Sequence, residues 1–143
     1  MPQLDSYIFF DGACAEAMRY YERTIGGKLE ALMKYSDAPG QESCAGVDTS
    51  AGDRIMHACL MLDGRMLMAS DTPAGMPQPK MASFALALNY ATADEARKIF
   101  DKLADGGSVT MPMAETFWTD AFGMLTDRFG TPWMVGGGPK PRP

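Results

Sequence analysis

The sequence lacks the features that mark several classes of protein. One of its 143 residues is histidine and three are cysteine. No apolar run approaches the roughly 20 residues that a helix needs to cross a bilayer. The 13 Lys and Arg residues are scattered among 18 Asp and Glu residues, which gives a formal net charge of -5. Since a nucleic-acid-binding protein usually carries a basic stripe that neutralises phosphates, we expect neither a nucleic acid nor a membrane as a partner.

The few cysteines also bear on the compartment. Cys14, Cys44 and Cys59 are odd in number and form no CxxC pair. The first residues show no basic region followed by an apolar stretch, so no signal peptide is expected. Free thiols without an export signal are typical of the reducing cytoplasm, where we expect the protein to reside.

The composition is that of an ordinary globular domain, with 46% hydrophobic and 22% charged residues. In the first half, residues 7–10 form a predicted strand, followed by a helix that Asp11 caps and Gly26-Gly27 ends. A strand over residues 28–35 and a long polar loop over residues 36–54 come next. Asp63-Gly64 between two apolar runs then predicts a hairpin of residues 55–62 and 65–70.

The second half repeats this order of elements. A predicted strand over residues 83–88 precedes a helix whose start is marked by Thr92 and Glu95, three residues apart as in a capping box. Gly106-Gly107 ends that helix, 80 residues after Gly26-Gly27. Strands over residues 108–113, 121–126 and 131–135 follow, and residues 136–143 are a predicted flexible tail. Five elements in the same order indicate two βαβββ modules.

Two stretches of the second half are the most distinctive in the chain. They read Glu115-Thr116-Phe117-Trp118 and Phe129-Gly130-Thr131-Pro132-Trp133-Met134-Val135. With Phe10-Asp11-Gly12 and Ile55-Met56-His57-Ala58, they resemble the glyoxalase, bleomycin-resistance and extradiol-dioxygenase superfamily, also called vicinal oxygen chelate. More narrowly, the chain looks like the PhnB-like branch. The resemblance spans about residues 4–135.

The resemblance implies a fold of the α+β class within one domain, residues 1–143. Its two βαβββ modules, about residues 4–72 and 82–135, would form a curved, half-open mixed sheet with helices on the outer face. Metal-using members hold one divalent ion with four side chains from the sheet. Here those places fall near Tyr7, Met68, Ser83 and Met134, which are poor ligands for a hard divalent ion. We therefore expect no metal and no cofactor.

The branch often carries a demethylubiquinone methyltransferase name, which the residues do not support. A nucleotide cofactor is commonly held by a Gly-rich turn between a strand and a helix N-terminus. Here Gly26-Gly27 and Gly106-Gly107 follow helices instead. Binding of S-adenosylmethionine is therefore not expected.

Four residues are candidates for contacting a ligand: His57, Glu115, Phe117 and Trp118. Aromatic side chains beside one carboxylate suit a pocket that combines apolar contact with one orienting group, and the single imidazole could act near neutral pH. Each also has a structural interpretation. His57 could simply bond to the loop before it, and the loop of Glu115 could pack Trp118 on the domain and leave the carboxylate in solvent.

The sequence favours a metal-free domain that binds a small molecule, and it indicates no catalytic residues. The resemblance also implies a homodimer, because superfamily members of this size commonly pair modules across subunits. Two alternatives stay open. One is a lyase, isomerase or dioxygenase of the same fold that recruits a metal through noncanonical ligands such as His57 and Glu115. The other is a structural dimer module. Fold alone does not separate them.

Overall fold

The computed structural model describes residues 2–37, 53–73 and 75–141 of the chain. It comprises two compact units, Met1–Gln78 and Pro79–Pro143. Each unit contains one long helix and an open, four-stranded mixed sheet. The predicted α+β class and the βαβββ order of both halves are confirmed. No helix in these residues has the length and apolar character that crossing a membrane would need.

The first unit begins with a strand and a helix and ends with a hairpin. Its elements are β1 (Ser6–Phe10), α1 (Cys14–Ile25), β2 (Lys28–Lys34), a short 3-10 turn (Tyr35–Asp37), β3 (Ile55–Leu62) and β4 (Arg65–Asp71). The strand order is β1-β4-β3-β2, with β1 parallel to β4 and the other pairs antiparallel. Asp63 and Gly64 both have positive φ, as the predicted tight hairpin requires. Most of the predicted loop over residues 36–54 lies outside the described residues.

One face of this sheet packs against α1. Ile8, Ala58 and Ala69 lie side by side on β1, β3 and β4 and are buried. Because side chains alternate along a strand, their neighbours point to the opposite face. On that face Tyr7 and Phe9 remain exposed.

The start of α1 differs from the sequence prediction. Asp11 does not cap the helix: the N-cap position is Ala13, which makes no side-chain cap, and Asp11 pairs instead with Arg54 at 2.7 Å. The capping oxygen comes from Asp71 at the end of β4, which accepts the backbone N–H of Gly12 at 2.8 Å and of Cys14 at 3.0 Å. A buried carboxylate distant in sequence therefore replaces the local cap.

The second unit repeats the first. Its elements are β5 (Leu86–Tyr90), α2 (Ala93–Ala104), β6 (Ser108–Ala114), β7 (Thr119–Thr126) and β8 (Pro132–Pro139), and the sheet order is β5-β8-β7-β6. The predicted cap of α2 is confirmed, because the Thr92 hydroxyl accepts the backbone N–H of Glu95 at 3.2 Å. Helix α2 packs on the face of the sheet that buries Ala121, Trp133 and Val135.

Two predicted boundaries in this unit are wrong. The strand predicted over residues 83–88 begins only at Leu86, because Ser83 has a φ of 65° and cannot extend a strand. The predicted tail over residues 136–143 is strand as far as Pro139, since β8 pairs on both sides, with Gly137 beside Tyr90 and Pro139 beside Thr119.

Candidate functional site

A pocket of about 410 Å³ lies on the second unit. It is lined by Ala87, Asn89, Tyr90, Trp118, Thr119, Phe122, Met134, Gly136, Gly137 and Pro139. Phe122 alternates along β7 with Ala121, which is fully buried on the α2 side. Since successive side chains point to opposite faces, the pocket opens on the face of the sheet away from α2.

Two adjacent glycines of β8 explain both the space in the pocket and the packing beneath it. A Cβ atom placed on Gly136 would lie 3.4 Å from the Asn89 Oδ1 and 3.7 Å from the Phe122 ring, on the pocket side. A Cβ atom on Gly137 would lie 2.2 Å from the Thr92 carbonyl oxygen, on the helix side. Gly136 therefore leaves the pocket floor open, and Gly137 lets the start of α2 approach the sheet.

The wall of the pocket is aromatic. Trp118 is 48% exposed and meets Phe122 edge-on at a centroid distance of 5.5 Å. Phe117 contacts the Trp118 ring at 4.8 Å, also edge-on, but it is 80% exposed and does not line the pocket. The rings thus form a short row in which Trp118 stands between Phe122 and Phe117.

Lys140 holds the loop that carries these rings. Its backbone N–H donates to the Trp118 carbonyl and its Nζ donates to the Thr116 carbonyl, both at 2.9 Å. The same Nζ forms an ion pair with Glu115. Hydrogen bonding to and attraction by Lys140 lower the pKa of Glu115. The carboxylate of Glu115 is therefore occupied in fixing the loop and does not line the pocket.

No charged side chain is among the lining residues of this pocket. The Thr119 hydroxyl, which is buried, donates to the Gly137 carbonyl at 2.7 Å. The side-chain amide of Asn89 forms no hydrogen bond with any residue in the described part of the chain. Asn89 thus brings both a donor and an acceptor to an otherwise largely apolar surface.

His57 belongs to the first unit. It lies on β3, and its Nδ1 is 3.5 Å from the Tyr7 hydroxyl oxygen, with the two ring centroids 6.0 Å apart. Of the four residues predicted to contact a ligand, only Trp118 lines the pocket. Phe117 and Glu115 lie in the same loop outside it. The pocket residues Asn89, Phe122 and Gly136 were not predicted from the sequence.

The places of the superfamily's metal ligands hold side chains that do not suit a hard divalent ion. Tyr7 pairs with Met68 across β1 and β4, and Ala87 pairs with Met134 in the same way across β5 and β8. The predicted place at Ser83 is therefore wrong, and Ala87 corresponds to Tyr7. A phenol, a methyl group and two thioethers are poor donors for Mg, Mn or Fe. Within the described ranges, no three His, Cys, Asp or Glu residues are grouped to bind a metal.

Comparison with known proteins places this fold in a family. The model of the Glyoxalase/Bleomycin resistance protein/Dioxygenase superfamily matches residues 3–135, and the chain belongs to that superfamily. Within it, the chain is related to Protein YjdN of Escherichia coli K12, with 34% identity over 138 residues and 92% of each chain covered.

Solved structures agree with this placement. Protein PA1353 from Pseudomonas aeruginosa is 39% identical, with a TM-score of 0.87 over 96% of this chain and 98% of that one. A protein from Bacillus cereus, described as a putative 3-demethylubiquinone-9 3-methyltransferase, PhnB protein, has a TM-score of 0.76. It is 22% identical and covers 96% of this chain and 100% of its own, so it supports the fold alone.

Proposed function

We propose that the second unit binds a small, uncharged aromatic molecule in the pocket beside Trp118, without a divalent metal. The observation that carries the proposal is the pocket itself, in which the Trp118 and Phe122 rings face an open floor at Gly136. Its volume of about 410 Å³ lies in the range of small-molecule sites. Aromatic walls contribute much apolar area per residue, so they can supply most of the binding free energy.

Asn89 gives the site its polar preference. A neutral carboxamide on the ligand could both donate to and accept from the Asn89 amide. A carboxylate would instead lose its hydration in a pocket that has no positively charged side chain to pair with it, and this desolvation costs free energy. We therefore expect the pocket to prefer a neutral aromatic amide over the corresponding acid.

The proposal is tested with naphthalene-2-carboxamide and 2-naphthoate. We expect the amide to raise the melting temperature and to change the emission of Trp118, with the acid binding at least about tenfold more weakly. The other tryptophan, Trp133, is 2% exposed and lies on the α2 side, so it should respond little. Equal binding of acid and amide, or no binding of either, would contradict the proposal.

Variants locate the binding. Trp118→Ala should abolish binding and leave the fold intact, because the side chain is half exposed. Phe84→Ala removes another ring of similar exposure in the same unit and outside the pocket, and it should bind the amide normally. If Trp118→Ala and Phe84→Ala bind alike, the pocket is not the binding site.

We also propose that the chain is a homodimer in the cytoplasm. The outer strands of both sheets, among them β6 with exposed Val109 and Met111, have edges that a second copy could cover. The free thiols of Cys14 and Cys59 suit a reducing compartment. Light scattering at micromolar concentration should give twice the chain mass, and a monomer at all accessible concentrations would refute the dimer.

A further inference from the structure

A row of sulfur and nitrogen donors crosses the first unit on the face of the sheet away from α1. Register pairing places Tyr7, Met68 and Cys59 side by side on β1, β4 and β3. The next row along the strands, which contains Ala58, is buried on the α1 side. By the alternation of strand side chains, Met68 and Cys59 therefore share the opposite face, where directly paired residues have Cβ atoms about 5 Å apart.

His57 completes the cluster. It lies two residues before Cys59 on β3, so its side chain leaves the same face. Its Nδ1 approaches the Tyr7 hydroxyl to 3.5 Å, although β4 lies between the strands of these two residues. The His57 and Tyr7 side chains therefore meet over β4, the strand that carries Met68. With Nδ1 directed to Tyr7, Nε2 is the nitrogen left to bind something else.

These donors have one chemical preference in common. A thiolate and a thioether select soft ions such as Cu(I), and an imidazole also binds copper, whereas Mg, Mn and Ca prefer oxygen ligands. Cys59 is 8% exposed, so its sulfur lies close to the surface of this face. A metal ion that binds there can displace the thiol proton.

We propose that Cys59, Met68 and His57 form a binding site for one Cu(I) ion. Binding replaces the proton on the Cys59 sulfur by the metal, and the proton goes to solvent. The thioether of Met68 and the Nε2 of His57 add neutral donors, and no electron is transferred. Tyr7 acts as a positioning residue, because its hydroxyl orients His57 through Nδ1. The site lies in the first unit and does not depend on the pocket beside Trp118.

The test is an anaerobic titration of the full, reduced chain with Cu(I) in competition with bicinchoninate, a chromophoric Cu(I) chelator. Cys44 lies outside the described residues, so a Cys44→Ser chain serves as the reference protein. We expect it to take one Cu(I) from the chelator. X-ray absorption at the copper edge should show sulfur and nitrogen neighbours together.

Substitutions in that reference chain identify the ligands. Cys59→Ser should lose the Cu(I), and Met68→Leu and His57→Phe should each weaken binding about tenfold or more. The positioning variant Tyr7→Phe should weaken it about tenfold. The matched control is Cys14→Ser, since Cys14 is fully buried at the start of α1 and should not contribute.

Three results would overturn the site. The first is no retention of Cu(I) against the chelator by a folded reference chain. The second is equal affinity in Cys59→Ser and the reference chain. The third is a loss confined to Cys59→Ser, with Met68→Leu and His57→Phe unaffected, which would indicate that the Cys59 thiolate binds Cu(I) alone. Circular dichroism of each variant shows that it is folded.

Discussion

The carboxylate of Asp71 accepts the backbone N–H of Cys14 across 57 residues of sequence, at 3.0 Å. It also accepts the N–H of Gly12 and, through its other oxygen, the N–H of Ile55, both at 2.8 Å. A buried carboxylate with three such donors joins the end of β4 to the start of α1 and the start of β3. Asp71 is thus a structural residue of the first unit.

Asp71→Ala should therefore destabilise the chain by about 3–5 kcal/mol, because three N–H groups, two of them buried, lose a charged acceptor. The measurement is the free energy of unfolding in urea. Asp53→Ala is the control, since that side chain is fully exposed and its contact with Lys34 is long, at 3.8 Å. A loss below about 1 kcal/mol in Asp71→Ala would mean that water replaces the carboxylate.

The two helix starts show what the sequence could and could not predict. Thr92 caps α2 through a residue three positions away, and such a local pattern is readable from sequence. The cap of α1 was assigned to Asp11 because Asp11 is adjacent, whereas the real acceptor, Asp71, becomes adjacent only when β1 and β4 pair. Interactions that depend on strand pairing were thus the ones missed.

The same reason explains the candidate site. Trp118 was identifiable from its distinctive loop, and it lines the pocket. Asn89 was missed because the predicted strand began at Ser83 and stopped at Leu88, one residue before it. Had β5 been predicted as Leu86–Tyr90, alternation would have placed Ala87 and Asn89 on one face. The role of Gly136 depends on its distance to Asn89 across strands, which no local pattern records.

Substitution by alanine should have different effects on stability at the adjacent glycines Gly136 and Gly137. At Gly136 the added methyl group meets Asn89 at an ordinary contact distance of 3.4 Å, so Gly136→Ala should change stability by less than about 0.5 kcal/mol. At Gly137 the methyl group would collide with the Thr92 carbonyl, and Gly137→Ala should cost about 1–3 kcal/mol. Urea unfolding of both variants measures the difference.

Gly136 also offers a test of the pocket. Gly136→Leu should fill the floor and prevent binding of naphthalene-2-carboxamide, with the chain still folded. Gly130→Ala is not a suitable control, because the φ of Gly130 is 90° and alanine would be strained there. Phe84→Ala therefore serves again as the control. Equal stability losses in the two alanine variants, or normal amide binding by Gly136→Leu, would contradict this assignment of the two faces.

The ion pair of Glu115 and Lys140 predicts a pH effect of definite sign. Lys140 lowers the pKa of Glu115 below its ordinary value of 4.5. The folded state therefore holds the Glu115 proton less tightly than the unfolded state. The stabilisation is present above pH 4.5 and is lost as the pH falls through the lowered pKa. Because Glu115 is exposed, the effect on the unfolding free energy should be small.

NMR titration of the Glu115 side-chain carboxyl carbon measures this pKa directly. In Lys140→Gln it should return toward the ordinary value, and the emission of Trp118 should change as the loop loses its anchor. Lys80→Gln is the matched control, an exposed lysine of the same unit. A Glu115 pKa that is the same in both variants would show that Lys140 does not cause the shift.

The two described thiols should differ in reactivity. Burial, with a contribution from the charge of Asp71, raises the pKa of Cys14 to about 12, and none of the residue is exposed. At pH 8, only about one Cys14 thiol in ten thousand would then be ionised, and the thiolate is the form that reacts. Peptide-resolved iodoacetamide labelling should leave Cys14 unmodified in the native chain and modify it readily in concentrated urea.

Cys59 has a raised pKa as well but retains 8% exposure, so it should label slowly in the native chain and ahead of Cys14. Asp71→Ala sharpens the test, because it removes the acceptor at the start of α1 and should let this end open. The loss of unfolding free energy in Asp71→Ala makes opening more frequent, and the labelling rate of Cys14 should rise by the same factor. The labelling rate of Cys59 should change less. Rapid modification of Cys14 in the native chain would mean that the start of α1 opens readily, although the Asp71 carboxylate accepts three backbone N–H groups.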